Sequence, residues 1–236
     1  MNQTAAVVGV GPGLGSSLAE KFSSEGYDVG IMARNENNLA DVRNDLSSTP
    51  GAVEPYSCDA TEPESVRTAF DALRNDFESP SVLIYNAGAY QPGGILEIEP
   101  QRFEECWEIN CHGGFVTSRE VLPDLLENEQ GTIIFTGATA SLRGSEGFSA
   151  LAVGKFGLRA LAQSMAREFG PRGIHVAHVV IDGQIATPTN LEEYPDRDHE
   201  TFLDPDAIAE NYWQLHRQDQ SAWTLELDLR PHVEEF

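Results

Sequence analysis

Val7-Val8-Gly9-Val10-Gly11-Pro12-Gly13-Leu14-Gly15 is the stretch on which the reading of this chain turns. It completes an apolar run, Ala5 to Val8, that reads as a buried strand. It then opens into Ser16-Ser17-Leu18-Ala19-Glu20-Lys21-Phe22, where Leu18 and Phe22 recur at helical spacing. A glycine between strand and helix makes the tight turn, admits a pyrophosphate against the backbone, and lets helix pack close on strand. The N–H groups and positive dipole end of the new helix then face the phosphates. By themselves these glycines also fit an ordinary strand-to-helix turn. The rest of the chain weighs against that.

The same alternation repeats down the sequence. Tyr27 to Ala33 reads as a second strand, and Asn37 to Ser48 as a helix carrying Leu39, Val42 and Leu46 on one side. After Pro50-Gly51, Ala52 to Ser57 is a third strand with Cys58-Asp59-Ala60 at its carboxyl end. Glu62 to Phe77 is an amphipathic helix whose stripe is Val66, Phe70, Leu73 and Phe77. Ser81 to Tyr85 is a fourth strand that ends in Asn86-Ala87-Gly88. A helical region from about Pro100 to Glu127 puts Phe103, Trp107 and Cys111 on its inner side. Gly131 to Thr136, Ser149 to Phe169 and Gly173 to Val180 follow as strand, helix and strand. From Asp182 to about Pro205 the pattern lapses into a polar, proline-bearing loop, long enough to suggest a substrate-side lid. Asp206 to Leu215 is helical, and residues 222–230 alternate as a half-buried edge strand. This order predicts an α/β fold, one doubly wound parallel sheet with helices on both faces, in a single domain spanning residues 1–236. Its ligand crevice should lie beyond the carboxyl ends of the strands.

At 236 residues the chain can bury a full core. No apolar run approaches membrane-spanning length and the start lacks a signal-peptide layout, so a cytoplasmic location is expected. Cys58, Cys106 and Cys111 read as small buried hydrophobes, with no disulfide framework and no metal spacing. Thirty-eight acids stand against 15 bases, a net charge of −23, and Lys21 and Lys155 are the only lysines. That balance opposes nucleic-acid and anionic-membrane binding, which need a basic face. The acids are scattered, a composition that resembles proteins of salt-loving organisms. Self-repulsion should destabilise such a fold in dilute buffer, and salt should screen it. An acidic surface made for a basic partner is the competing reading, which the even spread disfavours.

These motifs together resemble the short-chain dehydrogenase/reductase family over nearly the whole chain. Gly9, Gly13 and Gly15 match the family's spaced glycines, with Val8 where threonine is common. Asp59 matches the residue that looks toward the adenine, and Asn86-Ala87-Gly88 the Asn-Ala-Gly turn, with Tyr85 replacing a preceding asparagine. Asn110 and Lys155 match the active-site asparagine and lysine. The usual Pro-Gly after the sixth strand appears as Asp182-Gly183, with Thr187 downstream. The resemblance implies a Rossmann-type fold, no metal, and catalytic roles for Asn110 and Lys155. It implies a nicotinamide dinucleotide held by Gly9, Gly11, Gly13, Leu14, Gly15, Arg34, Asn35, Asp59, Ala60, Asn86, Ala87, Gly88, Lys155, Gly183, Ile185 and Thr187. It also implies a homodimer or homotetramer built through the regions Pro100 to Glu127 and Ser149 to Phe169.

The end of the second strand bears on which dinucleotide. An acid there bonds a ribose 2′-hydroxyl, whereas arginine accommodates a 2′-phosphate. Ala33-Arg34-Asn35 has no acid until Glu36, and Arg34 offers bidentate phosphate recognition, so NADP is favoured over NAD. A solvated surface charge is the other reading of Arg34.

One departure from the family is chemical. The tyrosine position, one helical turn before Lys155, is Leu151, and the serine position after the fifth strand is Ala138. By resemblance the tyrosine gives a proton to the carbonyl oxygen and the serine orients it. Loss of a general acid typically costs about 10²–10⁴ in rate. Thr139, Ser141, Ser149, Glu146 and His112 offer no convincing replacement, and His175 and His178 lie on opposite faces of a strand. Two functional readings stay open at this level: an oxidoreductase of altered mechanism acting on a small carbonyl or alcohol, and a cofactor-binding protein without hydride transfer. A purely structural protein is the third and the least supported.

Overall fold

A computed structural model describes residues 2–233; Met1 and residues 234–236, which the single-domain expectation also spans, lie outside them. β1 (Thr4–Val8) is buried at every residue, because helices cover both faces of the sheet around it. A strand buried on both sides has no polar face, which is why its sequence runs apolar without alternation. It pairs in parallel with β2 (Asp28–Ala33) on one side and β4 (Val82–Tyr85) on the other. β3 (Val53–Ser57) lies beyond β2, and β5 (Gly131–Thr136), β6 (Ile174–Ile181) and β9 (Glu226–Leu229) follow β4. The order β3-β2-β1-β4-β5-β6-β9 is one seven-stranded parallel sheet whose winding reverses between β1 and β4. This is the single-domain, doubly wound α/β fold expected from the alternating periodicities.

Two apolar layers hold it. On one face α1 (Leu14–Ser24), α2 (Glu36–Asp45) and α8 (Pro205–His216) bring Leu18, Phe22, Leu39 and Tyr212 against Val7, Ile31 and Ile84. On the other, α3 (Pro63–Asp76), α5 (Gly113–Glu127) and α6 (Ser149–Phe169) set Phe70, Leu73, Val121 and Leu158 against Val8, Leu83 and Phe135. Each such side chain contributes about 1.5–3 kcal/mol on burial. Ion pairs join helices across the surface: Lys21 of α1 lies 2.7 Å from Glu210 of α8, and Arg74 of α3 reaches Glu120 and Asp124 of α5 at 2.8 Å each. β9 is the sheet edge, with Glu226 and Asp228 outward and Leu227 and Leu229 packed on the core.

Two regions differ from the sequence reading. Between α4 (Pro100–Trp107) and α5 the helix widens into a π-helical turn, Glu108–His112. The interior residues here are Cys106 and Asn110, while Trp107 is exposed and Phe103 and Cys111 are half-buried. The expected inner stripe is therefore corrected. Hydrophobicity misplaces it because the face turned inward is organised by the polar contacts of Asn110. The second region is 182–205, which holds β7 (Gln184–Ile185), α7 (Pro188–Glu193), a 3-10 turn and β8 (Phe202–Leu203). β7 and β8 pair in parallel as a small second sheet. Elements this short carry too few residues for a period. Among the described residues no helix is long and apolar enough to cross a membrane.

Candidate functional site

Three turns meet at the carboxyl ends of β1, β4 and β5. Gly9 sits at φ +97°, and a Cβ there would lie 2.3 Å from the backbone N of Ala87. Only a glycine admits this approach of the first turn to the Asn86-Ala87-Gly88 turn. The Asn86 side-chain amide donates to Gly9 O (2.9 Å), and the Thr136 hydroxyl donates to Asn86 Oδ1 (3.0 Å). Tyr212 of α8 closes the chain 2.8 Å from that hydroxyl. Gly13, at φ +114°, faces Thr187, so the turn before α1 also abuts the 182–205 region.

Two adjoining clefts run along this edge. The first, about 330 Å³, is lined by Gly9, Gly11, Arg34, Asn35, Asp59, Ala60, Asn86, Ala87 and Gly88 among others. The second, about 360 Å³, is lined by Gly9, Gly11, Leu14, Gly15, Asn86, Gly88, Gly183, Ile185 and Thr187, together with Thr136, Gly137 and Ala138. They share Gly9, Gly11, Asn86 and Gly88, so they form one groove across the switch point. Fourteen of the sequence-expected binding residues line it, and Gly13 lies just behind. A larger concavity of about 700 Å³ opens at the opposite, amino end of the sheet. It has no glycine turn and no helix N-terminus of the expected kind, so the carboxyl-end groove is the candidate site.

Asn110 and Lys155 stand under the groove. The π-helical turn carries Asn110 fully inside, where its amide donates to Ala89 O (2.7 Å) and Cys106 O (2.8 Å). The Ala89 N–H returns a bond to Asn110 Oδ1 at 3.3 Å. A Cβ at Gly154 would fall 2.6 Å from Asn110 Cβ, so α6 packs here only because that residue is glycine. Tyr85 donates to Ile109 O at 2.5 Å and ties β4 to the same turn. Lys155 is buried and donates to Thr136 O at 2.7 Å; burial lowers its pKa to about 8. Leu151 lies half-buried one turn earlier on α6, and Ala138 follows β5 into the second cleft.

The other candidates are dispersed. His112 stacks between Trp107 and Phe115 on the outside. His175 stacks on Trp223 at 4.9 Å, whereas His178 packs toward Gly137 on the opposite sheet face, where burial lowers its pKa to about 4. Thr139 donates to Asp182 Oδ1 (2.5 Å), and Arg230 lies 3.4 Å from Asp182, joining the loops after β5 and β6. The sequence reading passed over Thr136, which gathers Asn86, Lys155 and Tyr212. Its place at the carboxyl end of β5, opposite the glycine turn, was the available signal. Among the described residues no group of three or more His, Cys, Asp or Glu gathers as a metal site requires.

Comparison with known proteins places this geometry among relatives. A family model described as short chain dehydrogenase matches residues 3–198. An uncharacterized oxidoreductase of Staphylococcus saprophyticus is 26% identical over 98% of this chain and 97% of its own. The crystal structure of a short-chain dehydrogenase from Rhodopseudomonas palustris is 40% identical, covers 98% of this chain and 100% of its own, and superposes with a TM-score of 0.85. An alcohol dehydrogenase from the archaeon Thermococcus sibiricus, solved with 5-hydroxy-NADP, is 22% identical with a TM-score of 0.88 over 100% of this chain and 99% of its own. At that identity the last likeness is one of fold.

Proposed function

This chain belongs to the short-chain dehydrogenase family, and on that premise we propose that it is an NADP-dependent oxidoreductase acting on a small carbonyl or alcohol. The observation that carries the proposal is the single groove formed where Gly9, Gly11, Asn86 and Gly88 line both clefts. A dinucleotide suits the residues present. No atom lies within 4 Å of where a Cβ of Gly11 would be, and the first turn of α1 offers N–H groups with no partner inside the helix. When bound, the nicotinamide supplies hydride exchange with the substrate carbon. Arg34, Asn35, Asp59 and Ala60 would hold the adenosine half, and Gly183, Ile185 and Thr187 the nicotinamide half. Lys155 and Asn110 would support the ribose and the reacting centre, and region 182–205 would cover the substrate. Leu151 and Ala138 occupy the positions at which the resemblance implies tyrosine and serine.

Titration with NADPH and then NADH, followed by nicotinamide fluorescence, tests this reading. NADPH should saturate the protein at a Kd at least about tenfold below that of NADH. Arg34→Leu should erase most of the difference, since a hydrogen bond to a charged group contributes about 1.5–3 kcal/mol. Saturation by neither cofactor would remove the proposal.

We further infer a homodimer or homotetramer in the cytoplasm. Trp107 and Phe115 beside the π-helical turn, and Val153 and Phe156 of α6, are all more than a third exposed, an apolar face on a protein of charge −23. The scattered acids support adaptation to salt. The thermal midpoint should rise by roughly 5 °C between about 0.1 M and about 2 M KCl as self-repulsion is screened. A midpoint that stays level or falls would reject that adaptation.

A further inference from the structure

Five large apolar side chains stand more than a third exposed on two loops at the carboxyl edge of the sheet. Tyr90, Ile95 and Leu96 belong to the loop after β4, and Leu142 and Phe148 to the loop between β5 and α6. Exposed apolar side chains gathered in this way beside a groove mark a surface that something covers. They are distinct from the face assigned above to oligomerisation. Val153 of that face is two residues beyond Leu151 on α6, and so about 200° round the helix from it.

Tyr90 and Phe148 are brought together by both rings and backbone. Their ring centroids lie 5.2 Å apart at an interplanar angle of 31°. The Gly93 N–H donates to Gly147 O at 3.1 Å, and both glycines hold positive φ, +144° and +79°, which fixes the approach of the two loops. Each ring is also tied to the site. Ala89, next to Tyr90, is the residue gripped through its N–H and carbonyl by Asn110. Phe148 opens α6, its carbonyl accepting from the Ala152 N–H at 2.9 Å. Phe148, Leu151 and Lys155 follow at intervals of three and four residues, so they share one helix face. Along that face Phe148 stands about 10 Å from Lys155, roughly the length of a two-ring aromatic ketone.

Resting on the oxidoreductase reading above, we propose that Tyr90 and Phe148 form an aromatic wall for the non-reacting end of the substrate, and that the substrates are neutral aromatic ketones and the matching secondary alcohols. Leu151 continues the wall toward Lys155, so the stripe from the reacting centre outward is apolar. Charge decides for a neutral substrate. The two loops carry Glu97, Glu99 and Glu146 against Arg143, three acids and one base, on a chain of charge −23. A carboxylate or phosphate on the substrate would be repelled there, whereas a flat apolar ring gains area and stacking against both aromatics. Binding energy from that remote ring is available to position the carbonyl, so it should appear in kcat/KM.

Methyl ketones of rising size (acetone, acetophenone and 2-acetonaphthone) test it on the full chain with NADPH, with 4-acetylbenzoate as the anionic counterpart. From acetone to 2-acetonaphthone kcat/KM should rise by at least about 10²-fold, and 4-acetylbenzoate should fall at least about tenfold below acetophenone. Tyr90→Ala with Phe148→Ala should shrink the ratio of 2-acetonaphthone to acetone by about 10- to 100-fold. Tyr90→Phe with Phe148→Tyr keeps both rings and should recover it. A second readout needs no turnover: 2-acetonaphthone should bind the protein loaded with NADP⁺, and the double-alanine variant should weaken that Kd by at least about tenfold. An equal Kd in wild type and double-alanine variant overturns the proposal. So does a change of mass by light scattering in that variant, since the rings would then join copies of the chain. Saturation by NADPH with no preference for ring size removes this proposal and leaves the oxidoreductase reading standing. Ring-dependent binding without turnover sustains the wall and rejects hydride transfer to these ketones. Saturation by neither cofactor removes both.

Discussion

Gly9→Ala is expected to abolish saturable NADPH binding and to lower the unfolding free energy by about 3 kcal/mol or more. Two costs combine at this position. A residue with a Cβ is strained at φ +97°, and the new atom would fall 2.3 Å from Ala87 N and 2.5 Å from Ala87 Cα. Backbone atoms cannot swing aside as a flexible side chain can. The turn from β1 would have to separate from the Asn86-Ala87-Gly88 turn, breaking the bond from the Asn86 amide to Gly9 O and with it the link to Thr136. Gly11→Ala is the control. Its Cβ would meet no atom within 4 Å and its φ is not positive, so the variant should unfold at the wild-type urea midpoint. Any loss of NADPH binding in it would then report occlusion of the groove alone. Wild-type affinity in Gly9→Ala would mean that the groove is not where the cofactor lies.

The second large effect is a gain. Leu151→Tyr combined with Ala138→Ser should raise NADPH-dependent ketone reduction by about 10²-fold, within the range that a positioned general acid contributes. Residue 151 is one turn before Lys155 on α6, so the new phenol and the ammonium are neighbours on one helix face. A nearby cation favours the phenolate and lowers the phenol pKa. Residue 138 lines the second cleft, so the serine would add a hydroxyl at its wall. Single-turnover rates on cyclohexanone, acetophenone and ethyl acetoacetate measure the effect. No gain in a double variant that still binds NADPH would show that the substrate no longer approaches from the Leu151 side.

Much of this architecture is written in local sequence. The continuous apolar run of β1, the helical spacing of Leu18 and Phe22, and the alternation of β9 each follow from how one element meets its surroundings. They dictate strand or helix without reference to distant residues. Right-handed connection of alternating strands and helices then leaves few sheet orders to choose from. The spaced glycines were legible as a strand-to-helix turn, whereas the Asn-Ala-Gly turn, Asn110 and Lys155 were singled out by the resemblance to the family; periodicity located the elements that carry them and not their roles.

Only the tertiary structure decided the rest. The inward face at the end of α4 follows from Ala89 O capturing the amide of Asn110, a contact between the segment after β4 and the π-helical turn. The pairing of β7 with β8 joins two-residue strands that have no period to read. Thr136 became a hub through Asn86, Lys155 and Tyr212, which approach it from β4, α6 and α8. Lys155 is the sharpest case: the chain carries 38 acids, yet among the described residues none pairs with its ammonium, which donates to Thr136 O instead. Periodicity records which face of an element is apolar; what lies opposite a given atom depends on how distant segments pack, and no local pattern carries that.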